Sequence, residues 1–439
     1  MSFCSMRWWV AVAWIDELIG EGVKSVDEVE VFYVVGRSVS ADLKQKKINL
    51  ATTSVDCGLG IRTIHKGRIG SSSTNDPGGW KECLQAAIAS GRLATPQAWG
   101  GLPDPHPHTT SPLSYDSSMN VESSVAKDLL EQMLSGAEEH TAEVTSGSAA
   151  LSTATVTLAN SRGIRYTDRH TGISLSLEAI HNQSTGYEFD HGCFSDQVDP
   201  VAVGEKATFF AHESAGGKDI ETGDYEIVLS PLAYAELLGG VFVPALNGRS
   251  VHAGRSRLAE SLGKEITGPQ IEMYDDPLIP RANGSTRWDA EGTVARRIDF
   301  IKDGILNNFA YDLKTAYRYG KETTGNAVRG GFAGLPSIGH HNFVVDGKRD
   351  TITDEPVIYV HSVVGAHTAN PMSGEFSVEL SNAFHARGES FETPIRSAML
   401  SGNVFDLHKE IVGMSKKSRA IGSMILPSIK INKQHIIGK

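Results

Sequence analysis

From about residue 270 onward the chain is dominated by short strands and glycine-rich turns. A segment punctuated this often has room for strands but little else, which makes the C-terminal half β-rich. Asp303-Gly304 and Asp346-Gly347 read as hairpin turns within it. The first half alternates between the two periodicities. Glu28–Tyr33 and Ser38–Leu43 alternate polar and apolar, which predicts two strands joined at Gly36-Arg37. Cys57–Thr63 followed by His65–Gly70 predicts a hairpin turning at Lys66-Gly67. Helices are expected over Trp80–Ser90, after the start signal Asp76-Pro77-Gly78-Gly79, over Ser123–Glu138 with Val125, Leu129, Leu130 and Met133 on one stripe, and over Val203–Ser214. Strands Thr153–Leu158 and Ile173–Ile180 flank a turn at Asn160–Gly163, and Tyr225–Leu229 is a buried strand. Ser230 is a good N-cap and Pro231 suits the first position of a helix over Leu232–Val241. Pro96, Pro103, Pro105, Pro107 and Pro112 mark residues 91–118 as an exposed excursion. The fold class is α+β: an N-terminal mixed α/β domain over residues 1–220, then a β-rich C-terminal domain over 221–439.

Charge and cysteine usage narrow the function classes. A net charge of −11 disfavours a nucleic-acid backbone as the main partner. Cys4, Cys57, Cys83 and Cys193 show no CxxC spacing and are too few for a disulfide scaffold, which points to reduced thiols in a cytoplasmic protein. The apolar run Trp8–Ile15 is too short to span a bilayer and is met at once by Asp16 and Glu17, so it reads as the start of a buried helix ending near Gly20. No membrane association is expected.

The chemistry-bearing residues are scattered. His212-Glu213 looks like the start of a zinc-protease helix, in which two histidines bind the metal and the glutamate between them is the general base. Positions 216 and 217 are both glycine, so the second histidine is missing, and the pair reads instead as a polar pair near a helix end stopped by Gly216-Gly217. His340 and His341 are adjacent on an extended segment and point to opposite faces. His361 and His367 are too far apart for a helical metal pair. Asp275/Asp276 and Asp289/Glu291 could bind a divalent cation or cap loops beside Pro277 and Gly292. Arg255, Arg257, Arg296 and Arg297 could hold a carboxylate, or simply face solvent. Ser250, Ser256 and Ser337 lack a nucleophile elbow, and Gly58-Leu59-Gly60 is not continued as a phosphate loop.

Taken in order, Thr222–Pro231, Ala235–Leu238, Asp275–Pro277, Asp289–Gly292, Asp303–Leu306, Thr324–Ala327, Gly365–His367 and Ser373–Ser377 resemble the TldD/PmbA family, also called modulators of DNA gyrase. Glu28–Tyr33, Gly58–Arg62 and Gly67–Gly70 are similar to its N-terminal domain, so the resemblance runs from about Asp27 to the end. The resemblance implies two branches: TldD, a zinc metallopeptidase with an HExxxH helix and a distant cysteine, and PmbA (TldE), which shares the fold, lacks the ligands and pairs with TldD. Carried onto this chain, the HExxxH histidines and glutamate fall at Gly239, Pro244 and Gly240, and no cysteine follows Cys193. None of these residues can ligate zinc or act as a base. The resemblance therefore implies a PmbA/TldE-like subunit that binds no cofactor itself. Its zinc would sit in a TldD-like partner, and the pair would process short or unfolded peptides. His367, Asn342, Ser337, Asp275 and Asp276 are the substrate-groove candidates it suggests. Two other readings stand beside it: a peptidase with a relocated metal site using His212, Glu213, His367 or the acidic pairs, and a homodimeric peptide-binding scaffold.

Overall fold

The computed structural model describes residues 8–107, 114–388 and 390–439, with side chains from residue 13 onward. Cys4 and Pro112 lie outside the described residues. After helix α1 (Trp8–Gly22) come β1 (Glu28–Lys44), β2 (Lys47–His65), β3 (Arg68–Thr74), α2 (Trp80–Leu93), α3 (Ser123–Gly136), β4 (Glu143–Asn160), β5 (Arg165–His181), β6 (Ser184–Gly192) and α4 (Pro200–Glu213). The six strands form one antiparallel sheet in the order β3-β2-β1-β4-β5-β6. One end of its face is covered by α1 and α2, with Leu18, Leu84 and Ile88 against Val29, Leu59 and Ile61. The other end is covered by α3 and α4, with Leu130, Met133 and Ala207 against Val39, Ala41 and Leu151. Each fully buried leucine or isoleucine contributes about 1.5–3 kcal/mol to this packing.

The second sheet is built from β7 (Gly223–Leu229), β8 (Ile271–Asp275), β9 (Ile298–Lys302), β10 (Ile305–Leu306), β13 (Phe343–Gly347), β14 (Val357–Val364), β15 (Glu375–Arg387), β16 (Ser390–Ile395), β17 (Met399–Asn403), β18 (Ile411–Ile421) and β19 (Met424–Ile437), with β11 (Ala327–Val328) and β12 (Ser337–Ile338) making a separate ribbon. Strands β7, β14, β15, β17 and β19 close on themselves, because β19 pairs with both β17 and β7. Among the described residues, closure leaves these five strands without a free edge, so the sheet's single-partner strands are β10, β16 and β18. Helix α5 (Pro231–Leu237) follows β7 and packs its Ala233, Tyr234 and Leu237 into this core with Ile227, Val360 and Ile429.

A buried charge network joins the two halves. Arg62 on β2 donates to Glu30 on β1 at 2.5 Å and to Glu291 at 2.6 Å, and Arg329, next to β11, donates to the other oxygen of Glu30. All four side chains are at most 3 % exposed, so the charges are screened little by bulk solvent. Burial pushes the Glu291 carboxyl up to about 7 against the pull of Arg62, with Asp289 and Asp312 adding to the rise. Next to the network the loop carrying Phe332 lies directly on β2. A Cβ on Gly58 would fall 2.2 Å from the Phe332 ring, and one on Gly60 would fall 2.1 Å from its carbonyl oxygen. The Gly58-Leu59-Gly60 motif is therefore an inter-sheet contact. A second junction places buried His361 of β14 face-to-face on Phe210 of α4, with ring centroids 3.7 Å apart, beside the Glu188–Arg419 pair. Burial holds the His361 imidazole down at about 4.

Several local expectations hold. The turn at Lys66-Gly67 has φ of 50° and 72°, and Asp303-Gly304 has 51° and 76°, both left-handed as a tight hairpin needs. Three others are corrected. There is no turn at Gly36-Arg37: β1 runs through, with Gly36 paired to Asp56 on one side and Ala154 on the other. A turn there would break two ladders at once, so the chain reverses instead at Gln45-Lys46, where φ is 51° and 60°. Asp346-Gly347 is strand, held by β8 opposite Glu272 and Ile271. The proline-rich stretch is not simply exposed. Its Trp99 Nε1–H and Leu102 N–H donate to the Glu28 carboxylate at 2.7 and 3.0 Å, and Leu102 is buried. An extended, proline-rich backbone cannot pair with itself, so its free N–H groups go to a carboxylate that needs donors.

Two outcomes are expected. Glu30→Ala leaves both Arg62 and Arg329 buried without their shared partner, and chemical denaturation should show a loss of about 3–5 kcal/mol; a loss under about 1 kcal/mol contradicts the network's role. The second concerns pH. The folded-state pKa of His361 lies below the unfolded value of about 6.5, so the unfolded chain binds the extra proton first on acidification. Stability conferred by neutral His361 is complete above about pH 6.5 and falls progressively towards pH 4. His361→Phe should flatten that decline in unfolding midpoints measured between pH 8 and 4.5, and an unchanged slope rules the effect out.

Candidate functional site

Ser230 caps α5 as its residue type suggests: Oγ accepts from the N–H of Leu232 at 3.1 Å and of Ala233 at 3.2 Å. The helix then departs from the expected α-helix to Val241. It widens into a π turn over Leu238–Phe242 before tightening again as α6 (Val243–Ala245). Such wide turns are rare and are found preferentially at functional sites. This one carries Gly239 and Gly240, and Pro244 lies in α6, so none of these three positions presents a ligating side chain. A Cβ on Gly239 would come within 2.9 Å of Met424 Cε.

Beside the π turn lies a cleft of about 340 Å³, lined by Gly239, Val243, Pro244 and Leu246 from the helical side and by Phe300, Phe343 and Met424 from the sheet. The Phe300 and Phe343 rings stack at 6.0 Å. Ile338, Gly339 and His340 form another wall. His340 is the cleft's lone ionisable side chain among the described residues. Its Nε2 meets Ser423 Oγ at 2.9 Å, and burial draws its pKa down, with Asp275 opposing and His341 assisting. The surface is shaped to hold apolar groups and to exclude charge.

The acidic candidates serve the architecture around this cleft. Asp275 is buried and accepts four hydrogen bonds, from the N–H groups of His341 and Asn342 at 2.8 Å each, from Asn326 Nδ2 at 2.7 Å and from His341 Nδ1 at 3.2 Å. Asp276 caps the following turn through the N–H of Leu278. Asn342 spends its side chain on Asp276 O, Ser285 Oγ and the N–H of Gly284. Asp289 accepts from the N–H groups of Glu291, Thr293 and Ala327, and burial raises its pKa. Glu291 accepts from Arg62 and from the N–H of Leu313 at 2.7 Å. The carboxylate oxygens of Asp275, Asp289 and Glu291 are thus taken up by N–H donors, and Asp276 uses Oδ1.

The remaining candidates lie apart. His212 and Glu213 close the last turn of α4, where His212 Nδ1 meets Glu213 Oε1 at 3.0 Å on a half-exposed surface. His212 also neighbours the His181 ring at 5.0 Å and the His140 ring at 6.2 Å. His367 is exposed in a single 3₁₀ turn, Ala366–Thr368, which approaches Gly240 through Ala366 O. Ser337 is exposed on β12, next to the cleft-lining Ile338. Among the described residues no group of three His, Cys, Asp or Glu side chains is placed to hold a metal ion. Gly239, Gly240 and Pro244 do not fit zinc, having no ligating side chain. Phe300, Phe343 and Met424 carry no chemical signal in the sequence; only their convergence on the π turn marks them.

Comparison with known proteins gives this arrangement a context. Residues 29–91 match domain 1, residues 116–215 the central domain and residues 222–438 the C-terminal domain of the PmbA/TldA metallopeptidases. The Metalloprotease PmbA of Escherichia coli O157:H7 is 24% identical over 95% of this chain and 94% of its own length. An uncharacterised protein of Methanocaldococcus jannaschii is 29% identical over 94% of this chain and 98% of its own. The crystal structure of TldE from Thermococcus kodakarensis superposes with a TM-score of 0.90 at 26% identity, covering 97% of this chain and 100% of that one. With all three domains matched in order and the architecture shared end to end, the chain belongs to the TldD/PmbA family of metallopeptidase-related proteins.

Proposed function

We propose that this chain is a PmbA/TldE-type subunit that binds no zinc, pairs with a TldD-like zinc subunit, and supplies interface and peptide-binding surface for the cleavage of short or unfolded peptides. The observation that carries this reading is the helix after Pro231. It starts at a well-formed cap, and on the alignment that the family resemblance implies, Gly239, Gly240 and Pro244 stand where a TldD-like helix would hold ligands and base. Glycine has no side chain and proline offers neither a ligand nor an N–H. The absence of any cysteine beyond Cys193 removes the last ligand type of that set from the C-terminal domain. Similarity to TldE over the whole length supports the same reading. Catalysis would then rest with the partner. This chain's contribution is to hold substrate and exclude water, through the apolar cleft that lies beside those positions.

The test is to purify the chain alone and together with a co-expressed TldD-like subunit from the same genome. The chain alone is expected to carry sub-stoichiometric zinc and to leave unfolded peptides intact. The co-purified pair should hold zinc and cleave them in a chelator-sensitive way. Stoichiometric zinc with chelator-sensitive cleavage by the pure chain overturns the proposal. A self-associated chain that ignores the TldD-like subunit also overturns it, in favour of a homodimeric scaffold.

A further inference from the structure

The cleft beside the π turn has a second property besides its apolar walls. Strand β12 pairs with β11 alone, through Ala327↔Ile338 and Val328↔Ser337. The N–H of Gly339 donates to Asn326 O at 2.9 Å, which makes the neighbouring Asn326/Gly339 pair a hydrogen-bonded one. By the alternation of an antiparallel ladder, the N–H and C=O of both Ala327 and Ile338 then point outward. On the Ala327 side these groups are used: its N–H goes to Asp289 Oδ2 and its C=O accepts from the N–H of Ala290. On the Ile338 side no hydrogen bond reaches them among the described residues. Ile338 itself lines the cleft. An unused peptide edge thus stands at the rim of an apolar hollow of about 340 Å³, within the size range of small-ligand sites.

We infer that this hollow receives a bulky apolar side chain, aromatic by preference, from an extended peptide whose backbone pairs with Ile338. The inference rests on the reading of the chain as a peptide-handling subunit and adds a side-chain preference to it. One donor and one acceptor on a strand edge match the two faces of a peptide unit, and a pocket next to such an edge sets which residue is accepted. Phe300 and Phe343 are buried beneath the hollow as its apolar floor, while the accessible parts of Val243, Pro244 and Ile338 and the Met424 thioether offer an aromatic side chain apolar contacts and a sulfur neighbour. A charged side chain would lose most of its hydration there, with no ion of opposite sign on the walls and, among the described residues, only His340, engaged by Ser423, and Asn247 as polar side chains. The glycine at 239 keeps the hollow open, since a larger residue would press on Met424.

The experiment is a titration of the full chain, labelled with ¹³C at the methionine methyls, by N-acetyl-phenylalaninamide and by N-acetyl-alaninamide. The Met424 methyl resonance should move with the phenylalanine compound, with an affinity about tenfold or more above that of the alanine compound. Val243→Phe, which fills the hollow from α6, should abolish the Met424 shift while other methionine methyls stay in place. Equal responses to the two compounds, or a Met424 methyl that does not move, overturn the side-chain preference. Cleavage by the co-purified pair is assayed separately. Its persistence with no aromatic selectivity leaves the subunit reading standing without the pocket, whereas loss of peptide cleavage by the pair removes the reading underneath.

Discussion

The contact on which the rest of the molecule depends is the buried arrangement of Arg62 and Arg329 around Glu30 and Glu291. Glu30 and Arg62 belong to neighbouring strands of the N-terminal sheet, whereas Glu291 and Arg329 belong to loops of the C-terminal half. Arg329 directly follows β11, and Asp289 and Ala290 bond the backbone of Ala327 within β11. The network therefore places the β11–β12 ribbon, and with it the Ile338 edge of the cleft. A groove in the C-terminal half is thus positioned in part by charges from the N-terminal half, Glu30 and Arg62.

Such a network is not chiefly a source of stability. Desolvating four ionic groups costs several kcal/mol per ion, of which mutual attraction returns a part, so apolar residues of the same shape could serve as well energetically. What charges add is register. A guanidinium answers only to carboxylates at the right place, and the Phe332 loop can lie on β2 only where Gly58 and Gly60 leave room. Together these two contacts fix one orientation of the sheets and exclude sliding alternatives.

The same division of labour runs through the cleft. Its buried acidic residues look, by type, like cation ligands, yet each is occupied by N–H donors that shape the surrounding loops. The surface left for a ligand is apolar and carries one free peptide edge. That is a surface suited to holding a chain, and it lies beside the π turn that follows the Ser230-capped helix. Gly239 and Gly240 let the helix lie close to Met424 and Ala366 within the π turn.

The sequence by itself determined what is governed by local backbone chemistry. The Lys66-Gly67 and Asp303-Gly304 turns, the Ser230-Pro231 helix start and the β-rich C-terminal half were legible, because left-handed turns and N-caps depend on a few adjacent residues. The order of many weak motifs also sufficed to identify the family. Tertiary structure decided everything that depends on what lies across from a residue. Gly36-Arg37 and Asp346-Gly347 have the composition of turns but stay extended, because neighbouring strands claim their hydrogen bonds. The proline-rich stretch is drawn in by Glu28, some seventy positions away. The cleft is assembled from residues near 239, 300, 338 and 424, whose side chains are individually unremarkable core formers. Burial and pairing partners are properties of the folded chain, and no window of sequence contains them.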